Sequence, residues 1–260
     1  MATRRFVDIS MPISSQVVTD PEPLRPKIRY AGHKEEVAHM LPFFPGLTAQ
    51  DLPEGEAWAV EEVQLSTHSG SHMDAPWHYN STTDHGKRRS PTIDEAPLDL
   101  FMRPGVRLDF RHLPDGYVVT RSDLENELAR IGYRLKPFDI VLVNTAAGAA
   151  YGGPDFVDRG CGVGREATLF LCEQGVQVVG TDAWSWDAPF SHTARRYAAE
   201  RDPSIIWEGH KAGREMPYYQ MEKLLHLEDL PPFGFTVVCF PVKIERAGAG
   251  WVRAVAIVDE

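Results

Sequence analysis

Four side chains that can bind a divalent metal lie within eleven residues of this chain. They are His68, His72, Asp74 and His78. Gly70 and Pro76 disfavour a continuous helix here, so the segment is expected to form an irregular strand and a turn. In an extended segment His72 and Asp74 point to the same side. A bend at Gly70 would let His68 join them. Three ligands of the His and carboxylate type leave a position for water, as in catalytic zinc sites.

The surrounding elements are predicted from apolar periodicity and from helix start and stop signals. Strands are expected at 59–67, 106–110, 138–144, 176–180, 235–240 and 251–258, and helices at 121–131 and 165–173, with a helical turn at 217–225. The alternation of strands and helices from 106 to 180 predicts an α/β fold, and the β-rich flanks suggest a second sheet layer. We expect a single domain over residues 1–260, with residues 11–58 as a long N-terminal arm.

The bulk composition is that of a globular protein with a core. The chain has 260 residues, 43% of them apolar and 25% charged, and a net charge of −10. This charge argues against nucleic acid or an anionic membrane as a partner. No apolar run approaches the roughly 20 residues of a membrane span, and the first residues do not read as a signal peptide. Three unclustered cysteines are expected to be free thiols in a reducing cytoplasm.

The dense segment resembles the signature of the metal-dependent cyclase family, which includes bacterial kynurenine formamidase and isatin hydrolase. That signature is His-x-Gly-x-His-x-Asp-x-Pro-x-His, and every position of it is matched at residues 68–78. Further resemblance lies at 8–10, 180–183, 240–244 and 252–256. It therefore covers most of the chain and implies a compact α/β domain of mixed sheet layers and flanking helices, of the swivelling β/β/α kind. It also implies a homodimer or homotetramer.

The resemblance assigns roles to individual residues. His68, His72 and Asp74 would hold a first metal ion. Asp74, His210 and Glu222 would form either a second metal site or a set of residues that adjusts the properties of the first. The ion would be zinc or manganese, because His and carboxylate ligands accept both, and one or two ions would be present.

His78 would then act as the general acid and base. A bound divalent metal lowers the pKa of water from near 16 to about 7, and a histidine can take the water proton and return it to a leaving nitrogen. No Gly-x-Ser-x-Gly elbow surrounds any serine, so a serine hydrolase is disfavoured. The expected reaction is amide hydrolysis by metal-activated water.

Aromatic side chains near the motif are the candidates for substrate binding. They are Phe43, Phe44, Trp77, Trp184 and Trp186. They suit an aromatic small molecule, although Trp184 and Trp186 could equally be core or interface residues. Residues 17–23 lack the tryptophan of the formamidases, which favours an isatin hydrolase-like enzyme that opens a cyclic amide. An arylformamidase and a lactone hydrolase remain as alternatives, and a non-catalytic binding module is the least favoured.

Overall fold

The computed structural model describes residues 3–259. Over this range the chain forms fifteen strands, which are β1 (Arg4–Asp8), β2 (Lys27–Ala31), β3 (Val60–Gln64), β4 (His72–Asp74), β5 (Thr82–Thr83), β6 (Arg88–Arg89), β7 (Met102–Asp109), β8 (Val118–Val119), β9 (Ile140–Asn144), β10 (Gly162–Val163), β11 (Val178–Thr181), β12 (Tyr219–Glu222), β13 (Phe233–Val238), β14 (Ala249–Trp251) and β15 (Val255–Asp259). The same range holds six α-helices, which are α1 (Val37–Met40), α2 (Pro76–Tyr79), α3 (Arg121–Ile131), α4 (Arg165–Glu173), α5 (Phe190–Glu200) and α6 (Glu208–Ala212).

A large mixed sheet forms the body of the molecule. Within the described range it has nine strands in the order β1-β15-β13-β7-β9-β11-β12-β4-β14. The central strands β7, β9, β11 and β12 are parallel. Strands β4 and β14 extend this centre antiparallel on one side, and β13, β15 and β1 do so on the other. The expected α/β fold with a mixed sheet and flanking helices is confirmed, and the β-rich flanks join this same sheet.

Burial on both faces explains the continuous apolar run of β9. Ile140 and Leu142 pack into one buried cluster, and Val141 and Val143 pack into a second cluster on the opposite face. The second cluster also contains the apolar sides of α3 and α4. A parallel strand covered on both faces needs no polar alternation, and the strand predicted at 138–144 is observed as β9.

Helix α3 shows how local signals set the ends of an element. Thr120 caps its N-terminus and forms a reciprocal capping box with Asp123. Gly132 ends the helix in the left-handed conformation, with φ of 68°, where glycine carries no steric penalty. The predicted bounds of 121–131 are therefore confirmed, as are those of α4.

The prediction of a helical turn at 217–225 is wrong. These residues instead contain strand β12, which lies between β11 and β4 and is buried along its whole length. Tyr219 and Met221 pack on one side of it, while Gln220 and Glu222 face the other. Pairing with two neighbouring strands outweighs the weak local pattern. This error matters because β12 carries a predicted metal ligand.

The N-terminal arm is attached to the sheet through a few defined contacts. Residues 11–58 contain β2, α1 and several short 3-10 turns, and β2 pairs with β3 as a two-stranded ribbon. In the arm Asp20 is buried and forms an ion pair with the buried ammonium of Lys223. Among the described residues, the helices are all too short or too polar to cross a membrane.

Candidate metal centre and active site

Two neighbouring strands present the candidate ligands to one cavity. In the antiparallel pair of β4 and β12, His72 lies opposite Glu222 and Asp74 lies opposite Gln220. Side chains two residues apart on a strand share a face, and so do directly paired residues. The four side chains therefore converge. The expectation that His72 and Asp74 point to the same side of an extended segment is confirmed.

His72, Asp74 and Glu222 each bring one ligand atom to within 4.8 Å of the other two. The Nε2 atom of His72 lies 3.4 Å from Oδ1 of Asp74 and 3.5 Å from Oε2 of Glu222. The Nδ1 atom of His68 lies 3.0 Å from the same Oδ1 of Asp74. Ligand atoms at about 2.0–2.2 Å from one ion stand roughly 3–3.5 Å apart in tetrahedral or octahedral geometry. The spacing of His72, Asp74 and Glu222 therefore fits one ion, whereas His68 groups with Asp74 and His78.

Two of these atoms are buried and make no hydrogen bond of normal geometry among the described residues, although Nδ1 of His68 lies 3.0 Å from one of them. They are Nε2 of His72 and Oδ1 of Asp74. Leaving a buried polar atom unsatisfied costs about 1–3 kcal/mol, so such a pair calls for an explanation. A cation bound between them satisfies both, and the donor set of nitrogen and carboxylate oxygen is the one that such cations prefer.

The backbone turn at Gly70 orients the first histidines. Nδ1 of His72 donates a hydrogen bond to the carbonyl of Gly70 at 2.9 Å, which leaves the lone pair of Nε2 for the metal. Gly70 itself has a φ of 66°, and a Cβ atom there would lie 3.1 Å from Cγ1 of Ile13. Glycine is therefore needed both for its conformation and for its space, and the predicted bend is confirmed.

Both ligand carboxylates are ionised. Burial by itself would raise the pKa of Asp74, but the surrounding imidazoles of His72 and His78 hold it well below its usual value. Burial acts in the same way on Glu222, and its close contacts with His210 and His72 lower its pKa strongly. Burial lowers the pKa of His68, and the contact with Asp74 outweighs this and raises it. The two carboxylates thus present negative charge of the kind that suits a cation.

His210 is held from its outer side by Asp187. The carboxylate of Asp187 accepts a hydrogen bond from Nδ1 of His210, and it also accepts the backbone N–H groups of Gly209 and His210. A carboxylate behind a metal-binding histidine fixes the orientation and the tautomer of the ring. Nε2 of His210 consequently points inward, 3.4 Å from Oε1 of Glu222 and 3.8 Å from Oδ2 of Asp74.

Gln220 occupies the space beside these inner atoms. Its amide nitrogen lies 2.7 Å from Nε2 of His210, 2.8 Å from Oε1 of Glu222 and 3.4 Å from Oδ2 of Asp74. The amide oxygen accepts a hydrogen bond from the hydroxyl of Tyr218 at 3.1 Å. The side chain therefore turns its donor group toward the ligands. We call His72, Asp74, His210, Gln220 and Glu222 the ligand wall.

His78 stands at the edge of the ligand wall and faces the cavity. Its Nε2 atom lies 3.9 Å from Oδ2 of Asp74, and 26% of its side chain is exposed. Burial, together with the nearby His68 and His210, lowers the pKa of His78 to about 4, although Asp74 opposes this shift. The ring is therefore neutral at pH 7 and can accept a proton.

A second side of the cavity is aromatic. The cavity has a volume of about 200 Å³, and Trp184, Phe190 and Trp207 line it together with the candidate ligands. We call these three residues the aromatic wall. The ring of Trp207 stacks on His210 at 4.3 Å and meets His78 edge-on at 5.1 Å. Trp207 has a φ of 60°, a left-handed conformation that costs a bulky residue about 1–3 kcal/mol and that is often found at functional sites.

The other predicted substrate-binding residues lie outside the residues that line this cavity. Trp77 stands at the surface beside Arg89, and Phe43 and Phe44 are 72% and 53% exposed in the arm. Trp186 is fully buried, and its ring N–H donates to the hydroxyl of Thr168. The structure thus brings Trp184 to the cavity together with the predicted ligands and His78, and it places the other four aromatic residues elsewhere.

The arm closes the cavity near His68. Leu24 lines the cavity, and its backbone carbonyl accepts a hydrogen bond from Ser69. Lys223 follows Glu222 in the chain, and its ammonium donates to the carbonyl of His68 at 2.7 Å while it also binds Asp20. This buried ion pair therefore ties the arm to the backbone of a candidate ligand.

Several of these residues had weak signals in the sequence. Gln220 is two residues from Glu222, so a correct strand assignment would have placed it on the ligand face. The functional roles of Phe190 and Trp207 depend on how the loops around α5 fold, which local patterns do not encode. Asp187 lies five residues after Asp182 in a loop with no local signal for its contact with His210.

Comparisons with known proteins agree with this geometry. Residues 7–188 match the sequence profile of the Cyclase family ("Putative cyclase"). The kynurenine formamidase of Paracidovorax citrulli is 27% identical over 233 residues, which cover 82% of this chain and 89% of that protein. The kynurenine formamidase of Salinibacter ruber is 29% identical over 196 residues, covering 74% and 77% of the two chains.

A solved structure shows the same fold. Isatin hydrolase A from Labrenzia aggregata, bound to benzyl benzoate, superposes with a TM-score of 0.75 at 22% identity, covering 99% of this chain and 94% of that one. The profile match extends over more than half of the chain, from the N-terminal strand through the metal-binding motif to Asp187 and Ala188. The protein therefore belongs to the Cyclase family.

Proposed function

We propose that this protein is a metal-dependent hydrolase that opens a cyclic amide of an aromatic substrate, in the manner of the isatin hydrolases. The observation that carries the proposal is the pair of buried ligand atoms on His72 and Asp74 that make no hydrogen bond of normal geometry among the described residues, directly beside a neutral His78. A cation site and a proton carrier in one cavity are the two parts that metal-assisted hydrolysis requires.

His68, His72 and Asp74 would hold the ion, and the spacing of Glu222 suits a fourth ligand. Zinc and manganese both fit these donors. We propose a single ion, because the amide of Gln220 already supplies a hydrogen-bond donor to the inner atoms that a second ion would need. His210 and Gln220 would then contact the ligands Asp74 and Glu222 without binding the ion themselves.

A divalent ion at these ligands would lower the pKa of water to about 7 and polarise the amide carbonyl. The residues of the chain perform the proton transfers. Neutral Nε2 of His78 takes the proton from the attacking water and returns it to the leaving nitrogen. Asp74 stabilises the imidazolium that forms, since its Oδ2 lies 3.9 Å from Nε2 of His78. Leu24 covers the cavity and limits the entry of further water.

The aromatic wall supports an aromatic substrate. Trp184 and Phe190 meet edge to face at 5.5 Å, and Trp207 continues their surface toward His78. A flat ring that lies between these faces gains burial and stacking energy. The likeness to isatin hydrolases, whose substrate is a cyclic amide fused to a benzene ring, favours this class of compound.

An arylformamidase is the second candidate. It is favoured by the kynurenine formamidases of 27% and 29% identity among the relatives, and it uses the same ligands and the same proton carrier. Small lactones suit this chemistry as well. A non-catalytic binding module is the least favoured, since the metal site and His78 stand together intact.

A hydrolysis screen separates these candidates. The protein loaded with zinc or with manganese would be tested against isatin, N-formylkynurenine and small lactones, with metal content measured in the same samples. We expect the highest kcat/KM with isatin. Higher activity on N-formylkynurenine would replace the first candidate by the second, and metal binding without any turnover would support the binding module.

We also propose that the protein acts in the cytoplasm as a homodimer or homotetramer. The three cysteines are free and buried, which suits a reducing compartment. Exposed Phe43 and Phe44 in the arm provide apolar surface of the kind that subunit interfaces cover. Light scattering of the purified protein would measure the assembly, and a monomeric mass would contradict this proposal.

A further inference from the structure

An apolar groove runs beside the cavity along helix α5. It has a volume of about 460 Å³, more than twice the 200 Å³ of the cavity at the ligands. The side chains that give it its apolar character are Ala188, Phe190, Ala194, Tyr197, Ile206 and Trp207. Phe190 and Ile206 are 52% and 47% exposed. Large apolar surface left open in this way marks a binding site more often than chance.

The groove adjoins the candidate active site. Phe190 and Trp207 line both the groove and the cavity. Trp207 contacts His78 and His210 with its ring, so the inner end of the groove lies next to the proposed proton carrier. A molecule held at the ligands would therefore extend along α5 if it is longer than the cavity.

Asp187 and Thr193, which also line the groove, use their polar atoms inside the protein. Asp187 accepts hydrogen bonds from Nδ1 of His210 and from two backbone N–H groups. The hydroxyl of Thr193 donates to the carbonyl of Ala188 at 3.3 Å. What these residues add to the groove is therefore mostly carbon surface, which suits an apolar ligand and gives a polar one little to bind.

We propose that this groove is a substrate subsite, and that the preferred substrates carry a bulky apolar group, an alkyl chain or a second aromatic ring, on the ring of the scissile amide. The inference rests on the proposed function and extends it. A pocket for a drug-sized molecule usually measures about 300–1,000 Å³. The cavity of about 200 Å³ at the ligands is smaller than that, so it suits the scissile amide and one ring, and the groove takes the remainder.

Binding of inert analogues tests the subsite without depending on turnover. Oxindole and its 5-alkyl derivatives, from methyl to hexyl, would be titrated into the zinc-loaded protein by calorimetry. We expect the dissociation constant to fall by up to about fourfold for each methylene that leaves water. An equal affinity along the series would overturn the proposal. Turnover of isatin is measured separately, so a failure of the proposed hydrolase activity would be seen independently.

Two alanines of α5 provide a matched pair of variants. Ala194 lines the groove, and Ala199 is exposed on the same helix outside the groove lining. Ala194→Arg should abolish the gain in affinity with chain length, whereas Ala199→Arg should leave it unchanged. A gain that survives in Ala194→Arg would contradict the proposal. So would a loss of dimer in Ala194→Arg by light scattering, because it would identify the groove as a contact between two copies of the chain.

Discussion

The ligand wall and the aromatic wall differ in how deeply their residues are buried and in how many contacts hold them. The side chains of the ligand wall are at most 6% exposed, and each is hydrogen-bonded or ion-paired to a neighbour on the sheet or on α6. The aromatic wall has one end on α5, a helix with no buried side chain in the described structure, and its Phe190 is 52% exposed. The ligand wall is thus fixed by the core, whereas the aromatic wall stands largely on the surface.

This difference follows from what each wall must do. Metal ligands need positions accurate to a few tenths of an ångström, which the pairing of β4 and β12 in the sheet supplies. A wall that accepts the apolar part of a substrate needs a suitable surface and tolerates small shifts. We therefore expect changes in the ligand wall to abolish the chemistry, and changes in the aromatic wall to alter affinity.

The largest effect is expected for Asp74→Asn. Its carboxylate contacts His68 and His72 at 3.0 and 3.4 Å and supplies charge to the ion. Because metal assistance is worth several kcal/mol, activity should fall by roughly 1,000-fold or more, and metal content after dialysis should fall with it. Atomic emission spectroscopy measures the metal content, and steady-state kinetics measures the activity. Asp99→Asn, at a side chain that is 68% exposed, is the control, and full metal retention in Asp74→Asn would contradict the assignment.

His78→Gln separates the proton carrier from the ligands. We expect kcat to fall by about 100- to 10,000-fold, the usual contribution of general acid–base catalysis, while metal content stays close to that of the unaltered protein. His226→Gln, at an exposed histidine, should change neither. Unimpaired turnover in His78→Gln would remove this residue from its proposed role, and a loss of metal would make it a ligand.

Asp187→Asn tests whether the hydrogen bond between Asp187 and His210 matters for metal binding. Without the carboxylate that holds Nδ1 of His210, metal affinity should fall by about 10- to 100-fold. Competition with a chelator gives the dissociation constant directly. Asp155→Asn, whose side chain is 57% exposed, is the control. An unchanged affinity in Asp187→Asn would show that the orientation of His210 does not matter for the ion.

Trp207→Leu tests the aromatic wall. Loss of the ring that faces His78 and His210 should weaken the binding of an aromatic substrate by about two- to tenfold, since such contacts contribute about 0.5–1.5 kcal/mol. The metal content should not change. KM and metal content are the measurements, with Trp58→Leu in the arm as the control. A loss of metal in Trp207→Leu would erase the distinction between the two walls.

Gln220→Ala has the smallest expected effect. We expect the number of zinc ions bound per chain to rise from one to two. Removing the amide opens the space between Asp74, His210 and Glu222. Calorimetric titration with zinc gives the stoichiometry, and Gln64→Ala on the exposed strand β3 is the control. Two ions in the unaltered protein would refute the single-ion proposal.

Much of the scaffold could be predicted because local chemistry determines it. The capping box at Thr120 and the left-handed Gly132 set the ends of α3, and the apolar run of β9 reflects burial on both faces. The segment 217–225 could not be assigned in this way. Its strand character comes from pairing with β11 and β4, which are distant in the sequence, and this pairing outweighs local propensity.

The sequence by itself determined the candidate metal-binding motif, because His68, His72, Asp74 and His78 are close together in the chain. The tertiary structure alone decided what completes the site. Strand pairing aligns β12 with β4, and the loops around α5 bring Phe190 and Trp207 to the cavity. The pairing of His72 with Glu222 and the contact of His78 with Trp207 join residues more than a hundred positions apart, and only the packing of the whole chain sets their distances.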